Sequence, residues 1–416
     1  MPDLISRMQE VVMNSQAKTA ITGDVSMTFS TLWSQMDAFA GGLQTNDITA
    51  GDHVVIRVSN PRAFLVAFYG TLRNGCVPVT VPTEFSADDV VAALEETGAK
   101  AYVTDETPFL AILHHADDVR LAITVDCGGG MGMDFPTFLD NDGINSAGSR
   151  TGIDVVSRPH SERGLVAYGR HLASGPLGII YSRSALLAAA RIGQTIPPSD
   201  GPIHHLGSLS LSNPIELLSG VTAALLSGGQ YAAIFTGGRH YPQTSWDPDT
   251  TGSLLETGSA TRTFLTPKQQ DTVRTPAVEG DGAVVVAELA ADPITPQATA
   301  TGADAGAGST CVLGCPETGL THVSTISDDE SAATTASRPI GETVPSVETR
   351  VLDGTELAVT GPAVMDGYVG RSALTDELIE QVDGTRWVRT GVTVTEGGAV
   401  DPIDGSPLAV LDRSHS

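Results

Sequence analysis

Between Leu165 and Arg191 the chain reads LVAYGRHLASGPLGIIYSRSALLAAAR, and its most chemically suggestive spacing lies in this stretch. Gly169, Gly175 and Gly178 stand beside Arg170, His171 and Ser174. A glycine-bearing loop after a strand can turn its backbone N–H groups inward and hold an anion. Most glycine-rich turns hold nothing, so the stretch alone marks only a place where an anion could sit. The four cysteines offer less. Only Cys311 and Cys315 are close in sequence, apart from Cys76 and Cys127. Their C-x3-C spacing lacks a second Cys/His pair to complete a zinc site. Reduced thiols are therefore expected.

Positioning such a loop requires strands and helices on either side. Residues 165–168 form an apolar run suited to a buried strand. A loop is expected over 169–178, a second strand over 179–181, and an Ala- and Leu-rich helix over 184–191. Upstream, Leu32, Met36, Phe39, Ala40 and Leu43 share one helical face, with Ser30 as the expected N-cap. Residues 52–58 alternate into a strand that Asn60-Pro61 breaks, and a helix over 63–74 ends at Gly75. A strand over 77–82, a helix opened by Ser86 and a strand over 100–104 complete a strand–helix–strand order typical of a parallel α/β sheet. Residues 128–163, rich in Gly, Asp, Ser and Asn, read as a surface connection, and 292–309 as a flexible excursion. The apolar tract 217–235 is broken by Ser219, Gly220 and Ser227 to Gln230, so it reads as helix, turn and strand and not as a membrane span. Alternating strands over 347–352 and 356–360 suggest a small β unit near the end.

The sequence has 416 residues and a formal net charge of −26, with 23 basic against 49 acidic residues. Only Lys18, Lys100 and Lys268 are lysines. This balance disfavours nucleic acids and anionic membranes, whose phosphates need Lys and Arg. Dense acidity with few lysines resembles proteins adapted to a high-salt cytoplasm, where screening tolerates like charge; a merely solvated acidic surface is the plainer reading. The N-terminus lacks the apolar core of a signal peptide, so a cytoplasmic location is expected.

The order Thr28-Phe29-Ser30-Thr31-Leu32, Gly51-Asp52-His53-Val54-Val55-Ile56, Asn60 to Phe64 and Gly75-Cys76-Val77-Pro78-Val79 closely resembles the N-terminal region of acyl-CoA synthetases, within the adenylate-forming (AMP-binding) superfamily. Gly361-Pro362-Ala363-Val364-Met365-Asp366-Gly367-Tyr368 and Trp387-Val388-Arg389-Thr390-Gly391 resemble later family motifs. The family's phosphate loop, Tyr-Thr-Ser-Gly-Thr-Thr-Gly-x-Pro-Lys-Gly, falls on residues 168–178, with Tyr168, Pro176 and Gly178 kept. The resemblance implies an α/β fold: layered α/β subdomains with parallel-rich sheets over 1–335, divided near 165–200, and a small β-barrel-like subdomain over 336–416. It also implies nucleotide contacts from Ser174, Gly175, Gly178, Gly282, Ala283, Gly314 and Arg413. His205 would line the acyl pocket, although a lone histidine is more often simply packed. Glu317 would serve catalysis as the Mg²⁺ ligand.

The departures fall on chemistry. The loop lysine is Leu177, the adenine-stacking tyrosine is Leu313, the phosphate-binding threonine is Pro316, and the ribose-binding aspartate is Val392. Losing the lysine and the aspartate would cost about 3–6 kcal/mol of nucleotide binding at 1.5–3 kcal/mol for each charge-assisted bond. The motif order reaches the family hinge at Asp412-Arg413, so the family's mobile C-terminal domain is expected to be absent. Two expectations follow. The first is a degenerate ligase-like protein, with ATP, AMP and Mg²⁺ held weakly or not at all, binding a small carboxylate or acyl-CoA in a regulatory role. The second is an active AMP-forming carboxylic acid–CoA ligase that takes its C-terminal domain from a separate protein.

Overall fold

The computed structural model describes residues 3–23, 26–105, 112, 114, 116–127, 132–140, 158–159, 162–172, 175–196, 201–233, 248–256, 260–265, 269, 283–289, 310–325, 341–394 and 400–402. These residues build three sheets. The first has eight strands, in the order Gly367–Tyr368, Gly175–Ser182, Arg163–Leu172, Val77–Thr80, His53–Arg57, Ala101–Thr104, Leu121–Thr124 and Met133–Asp134. Its pairings are parallel from Arg163–Leu172 to Met133–Asp134 and antiparallel at the other edge. The second has nine strands and is parallel at its centre, where Thr19–Thr22, Gln230–Ala233, His204–Gly207, Arg262–Leu265, Ala283–Leu289 and Thr310–Cys315 lie. The third is a five-stranded antiparallel sheet of Glu348–Leu352, Glu356–Thr360, Thr385–Val394, Ile379–Val382 and Val400–Pro402. The layered α/β architecture with parallel-rich sheets is thus present. No helix among the described residues is long and apolar enough to cross a membrane.

Helix ends follow local chemistry, with small shifts from expectation. The helix Phe29–Thr45 is capped by Thr28, whose side chain accepts from the Thr31 amide, and Ser30 lies inside it. Asn60 caps Pro61–Arg73, where proline at the first turn forgoes an amide that has no helical partner. Ser86 and Asp89 form a reciprocal capping box at the start of Ala87–Thr97. Both faces of the first sheet are covered, as a parallel sheet requires. Val54 and Ile56 point into the main core, while Val55 points into a second core with Val79, Tyr102, Val166 and Tyr168.

The surface connection expected over 128–163 contains structure within it. The short strand Met133–Asp134 and the helix Phe135–Asp140 dock on the first sheet. Phe138 is fully buried, edge-on to Phe39 at 5.1 Å. Two aromatic rings outweigh the polar composition around them, because each buries a large apolar area. The expected excursion at 292–309 lies outside the described residues.

Candidate functional site

The region expected to be an open loop is instead a β-hairpin. Arg163–Leu172 and Gly175–Ser182 pair through Arg170↔Leu177, His171↔Pro176 and Leu172↔Gly175, with a register shift between Tyr168 and Arg170. Strand pairing through Arg170, His171 and Leu172 commits the backbone that a cradle would turn toward an anion. Leu177 is fully buried in the main core. Gly178 lets the Tyr168 ring pass, since a Cβ there would lie 2.7 Å from Tyr168 Cζ. The Tyr168 hydroxyl donates to Glu96 at 3.0 Å, and Arg371 holds the other Glu96 oxygen at 2.8 Å. Burial, then the Glu96 charge, pushes the Tyr168 phenol well above its ordinary range. Gly175 sits at the hairpin end with φ +118°. Ser174 lies outside the described residues.

Of the other implied nucleotide contacts, Gly314 lies on a strand that leads into a turn where segments of all three sheets meet, and Ala283 lies on the neighbouring strand of the second sheet. Gly314 is buried in Thr310–Cys315, beside a register shift, and the half-buried Leu313 pairs across the ladder with His322. The turn that follows carries Pro316 and Glu317. Tyr181, at the hairpin's base, donates its hydroxyl to the Pro316 carbonyl. Glu317 is fully buried, accepts from the Tyr368 hydroxyl at 3.1 Å, and its carbonyl accepts the Met365 amide at 2.8 Å. Arg386, from the small sheet, donates to the Met365 carbonyl at 3.0 Å. Val392 is buried in the same small-sheet strand as Arg386. Ala283 opens the strand Ala283–Leu289 and pairs with Arg262. Gly282 and Arg413 lie outside the described residues. Among the described residues no group of three or more His, Cys, Asp or Glu side chains is gathered for a metal ion.

His205 occupies a second, separate polar centre that the sequence reading reached only in part. The ring is fully buried, and Nε2 lies 3.0 Å from Glu216 Oε1. Arg262, its neighbour on the next strand, donates from Nε to His205 Nδ1 at 3.4 Å. Because Nδ1 accepts, the proton sits on Nε2 and points to Glu216. The remaining Arg262 N–H groups reach Gly193 O, Ile196 O at 2.8 Å, Ser219 O at 3.0 Å and Gly220 O at 3.1 Å. Gly193 is in the last turn of the helix Arg183–Gln194 and Ile196 follows its C-cap Thr195, while the last two carbonyls belong to the π-helix Ile215–Thr222. Gly220 is required here, because a Cβ would lie 2.6 Å from His205 Nε2. Tyr69 and Thr222, 2.8 Å apart, tie the far end of the π-helix, where the Thr222 hydroxyl donates to Leu217 O. Glu216 and Arg262 were missed. Each is a lone charge among uncharged residues of a short buried stretch, IELL and TRTFL, and that isolation was the available signal.

Removing the guanidinium takes a donor from four carbonyls in an apolar interior, of which Gly193 O and Gly220 O keep a backbone amide. Arg262→Met is expected to lose about 3–5 kcal/mol of stability, and Arg262→Lys nearly as much because an ammonium cannot span the same carbonyls, both read by urea unfolding. Burial lowers the pKa of His53 and His322 to about 4 and, aided by the Arg262 charge, holds His205 well below 6.5. The unfolded chain takes up these protons below pH 6.5 while the fold refuses them, so stability falls as pH drops from 6.5 toward 4. Glu216, raised by burial, acts in the opposite sense above its ordinary 4.5, but it is one group against three. Unfolding at constant ionic strength is expected to show stability rising across that window, with a flatter slope in His322→Asn.

Residues 8–137 match the sequence model of a family described as AMP-binding enzyme. A methyl-dioxo-octahydro-indenyl propanoyl:CoA ligase of Rhodococcus jostii is 33% identical over 81 residues, which are 20% of this chain and only 16% of that ligase. Protein Y of Streptomyces griseus is 24% identical over 248 residues, 58% of this chain and 75% of that protein. The N-terminal subdomain of NpsA from Klebsiella oxytoca, solved with 3-hydroxybenzoyl-AMSN, superposes with a TM-score of 0.73 at 18% identity, covering 97% of this chain and 100% of that one. A putative long-chain-fatty-acid CoA ligase from Rhodopseudomonas palustris gives 0.76 at 18% identity, covering 96% and 98%. The chain thus carries the sequence signature of the AMP-binding enzyme family over residues 8–137 and, along nearly its whole length, the fold of the N-terminal region of adenylate-forming enzymes.

Proposed function

We propose that this chain is an acyl-CoA ligase-like protein in which ATP-dependent adenylation is weakened or lost, and that it works as a binding or regulatory protein for a small carboxylate or its CoA thioester. The observation that carries the reading is the hairpin with fully buried Leu177 where the resemblance implies a phosphate-gripping loop. The residues do not fit a Mg²⁺–nucleotide held in the family's manner. No cationic side chain stands at Leu177, no carboxylate at Val392, and Glu317 is buried against a phenol. A Mg²⁺ site usually keeps several waters beside its one or two carboxylates, which this burial denies. The ligand class rests on what the relatives are named for: a CoA ligase, and a subdomain holding an acyl-adenylate analogue. The charge of −26 with three lysines supports a high-salt cytoplasm as the working medium. The retained Glu317 and the Trp387 to Gly391 motif favour the second reading, an active AMP-forming ligase completed by a C-terminal domain from another chain.

ATP–pyrophosphate exchange across a panel of carboxylic acids in molar KCl separates the two. The expected result is no turnover, together with a rise in melting temperature on adding acyl-CoA but not ATP–Mg²⁺. Brisk exchange by the chain alone, or on adding a free-standing C-terminal domain, overturns the reading. Leu177→Lys, which restores the family's lysine by type, is expected not to create exchange activity and to lose about 3 kcal/mol or more of stability, because the ammonium enters a fully buried position.

A further inference from the structure

We propose that the Glu317–Tyr368 hydrogen bond is a conformational lock, in which the carboxylate is committed to holding the Gly367–Tyr368 strand against the hairpin and is withheld from a cation. The inference rests on the non-adenylating reading above and deepens it, by assigning the one acidic side chain kept at the implied metal position a different task.

Three observations converge on this turn. The carboxylate is fully buried, and Oε1 accepts from the buried Tyr368 hydroxyl at 3.1 Å. The backbone around that tyrosine is zipped to the hairpin: the Asp366 amide donates to Ile180 O at 2.7 Å and the Val369 amide to Gly178 O at 2.9 Å, while Gly367 and Tyr368 pair with Ile180 and Ile179. The turn is fastened at its backbone as well, by Tyr181 to the Pro316 carbonyl and by the Met365 amide to Glu317 O. Segments of the first and second sheets therefore meet through the Glu317–Tyr368 bond, the Tyr181 hydroxyl and flanking main-chain bonds. Arg386 ties the small sheet to the same place through the Met365 and Asp366 carbonyls. A cation drawing on Glu317 would have to displace the phenol and strip its own water inside a closed junction. The Tyr368 backbone is further tied to the helix Ser372–Leu378 by its amide, which donates to the Thr375 hydroxyl at 3.0 Å.

Amide hydrogen exchange in metal-free buffer tests the lock directly. Tyr368→Phe keeps the ring and removes the donor; Glu317→Gln keeps the shape and removes the charge. Each is expected to speed exchange of the 365–371 and 178–180 amides by about 10- to 100-fold, the range for a hydrogen bond to a charged group. The Tyr368→Phe/Glu317→Gln double variant is expected to be no faster than the faster single one. The Ala101–Thr104 strand should exchange as before, which a merely global loss of stability would not allow. Unchanged rates at 365–371 in both single variants overturn the proposal. A second arm uses the unaltered chain, so it holds even if a variant fails to fold. Millimolar Mg²⁺ is expected to leave the melting temperature and these amides unchanged. A Mg²⁺-dependent protection of 315–318 also overturns the proposal. Pyrophosphate exchange reports on the adenylation reading, whereas amide exchange without metal reports on the lock, so the two can fail separately.

Discussion

A guanidinium with five N–H groups in an apolar interior has to find an acceptor for each, and Arg262 does so from one strand position. That requirement organises the second sheet's covering layer. It places the end of one helix and the bend of the π-helix within reach of the same side chain. It also fixes the proton of His205, which in turn directs the imidazole to Glu216. Burial lowers the Arg262 pKa to about 10, still above neutral pH, so the group remains a cation that carbonyl dipoles must satisfy. A π-helix is a strained way to run backbone, and here its displaced carbonyls have a use. The centre is closed, with His205, Glu216 and Arg262 almost wholly buried, so its polar chemistry is directed inward.

The junction around Glu317 obeys the same rule with different parts. Two tyrosine hydroxyls and the backbone amides of Met365, Asp366 and Val369 meet the polar groups of one turn and its neighbours. Buried groups left unmet would cost more than the net worth of each bond, which explains why such junctions are completed internally. The hairpin beside it shows the complementary case. Strand pairing takes the backbone there, and the apolar Leu177 joins the core. The likeness of fold to the N-terminal regions of adenylate-forming enzymes extends along nearly the whole chain.

Much of the frame was legible because its signals are local. Alternation in residues 52–58, the helical face from Leu32 to Leu43, the Ser86 cap and the glycine stop at Gly75 act within a few residues, and each corresponds to an observed element. The legible part of the site was its positions, not its geometry. His205 could be singled out but not its partners, which lie 11 and 57 residues away in sequence. The hairpin was read as a loop because glycine and proline mark turns locally, whereas their place in a ladder is settled by the opposite strand.

By itself the sequence determined part of the order of strands and helices, the Asn60-Pro61 break, the Ser86 cap, the acidic composition and the residue types at positions 177 and 392. Those properties depend on neighbours along the chain or on residue type alone. The tertiary structure decided that Arg262, His205 and Glu216 form one centre, that Phe138 docks on Phe39, and that Glu317 faces Tyr368. Each joins groups whose separation in sequence carries no information about their separation in space, and each is fixed by the need to satisfy or exclude water at a particular buried atom.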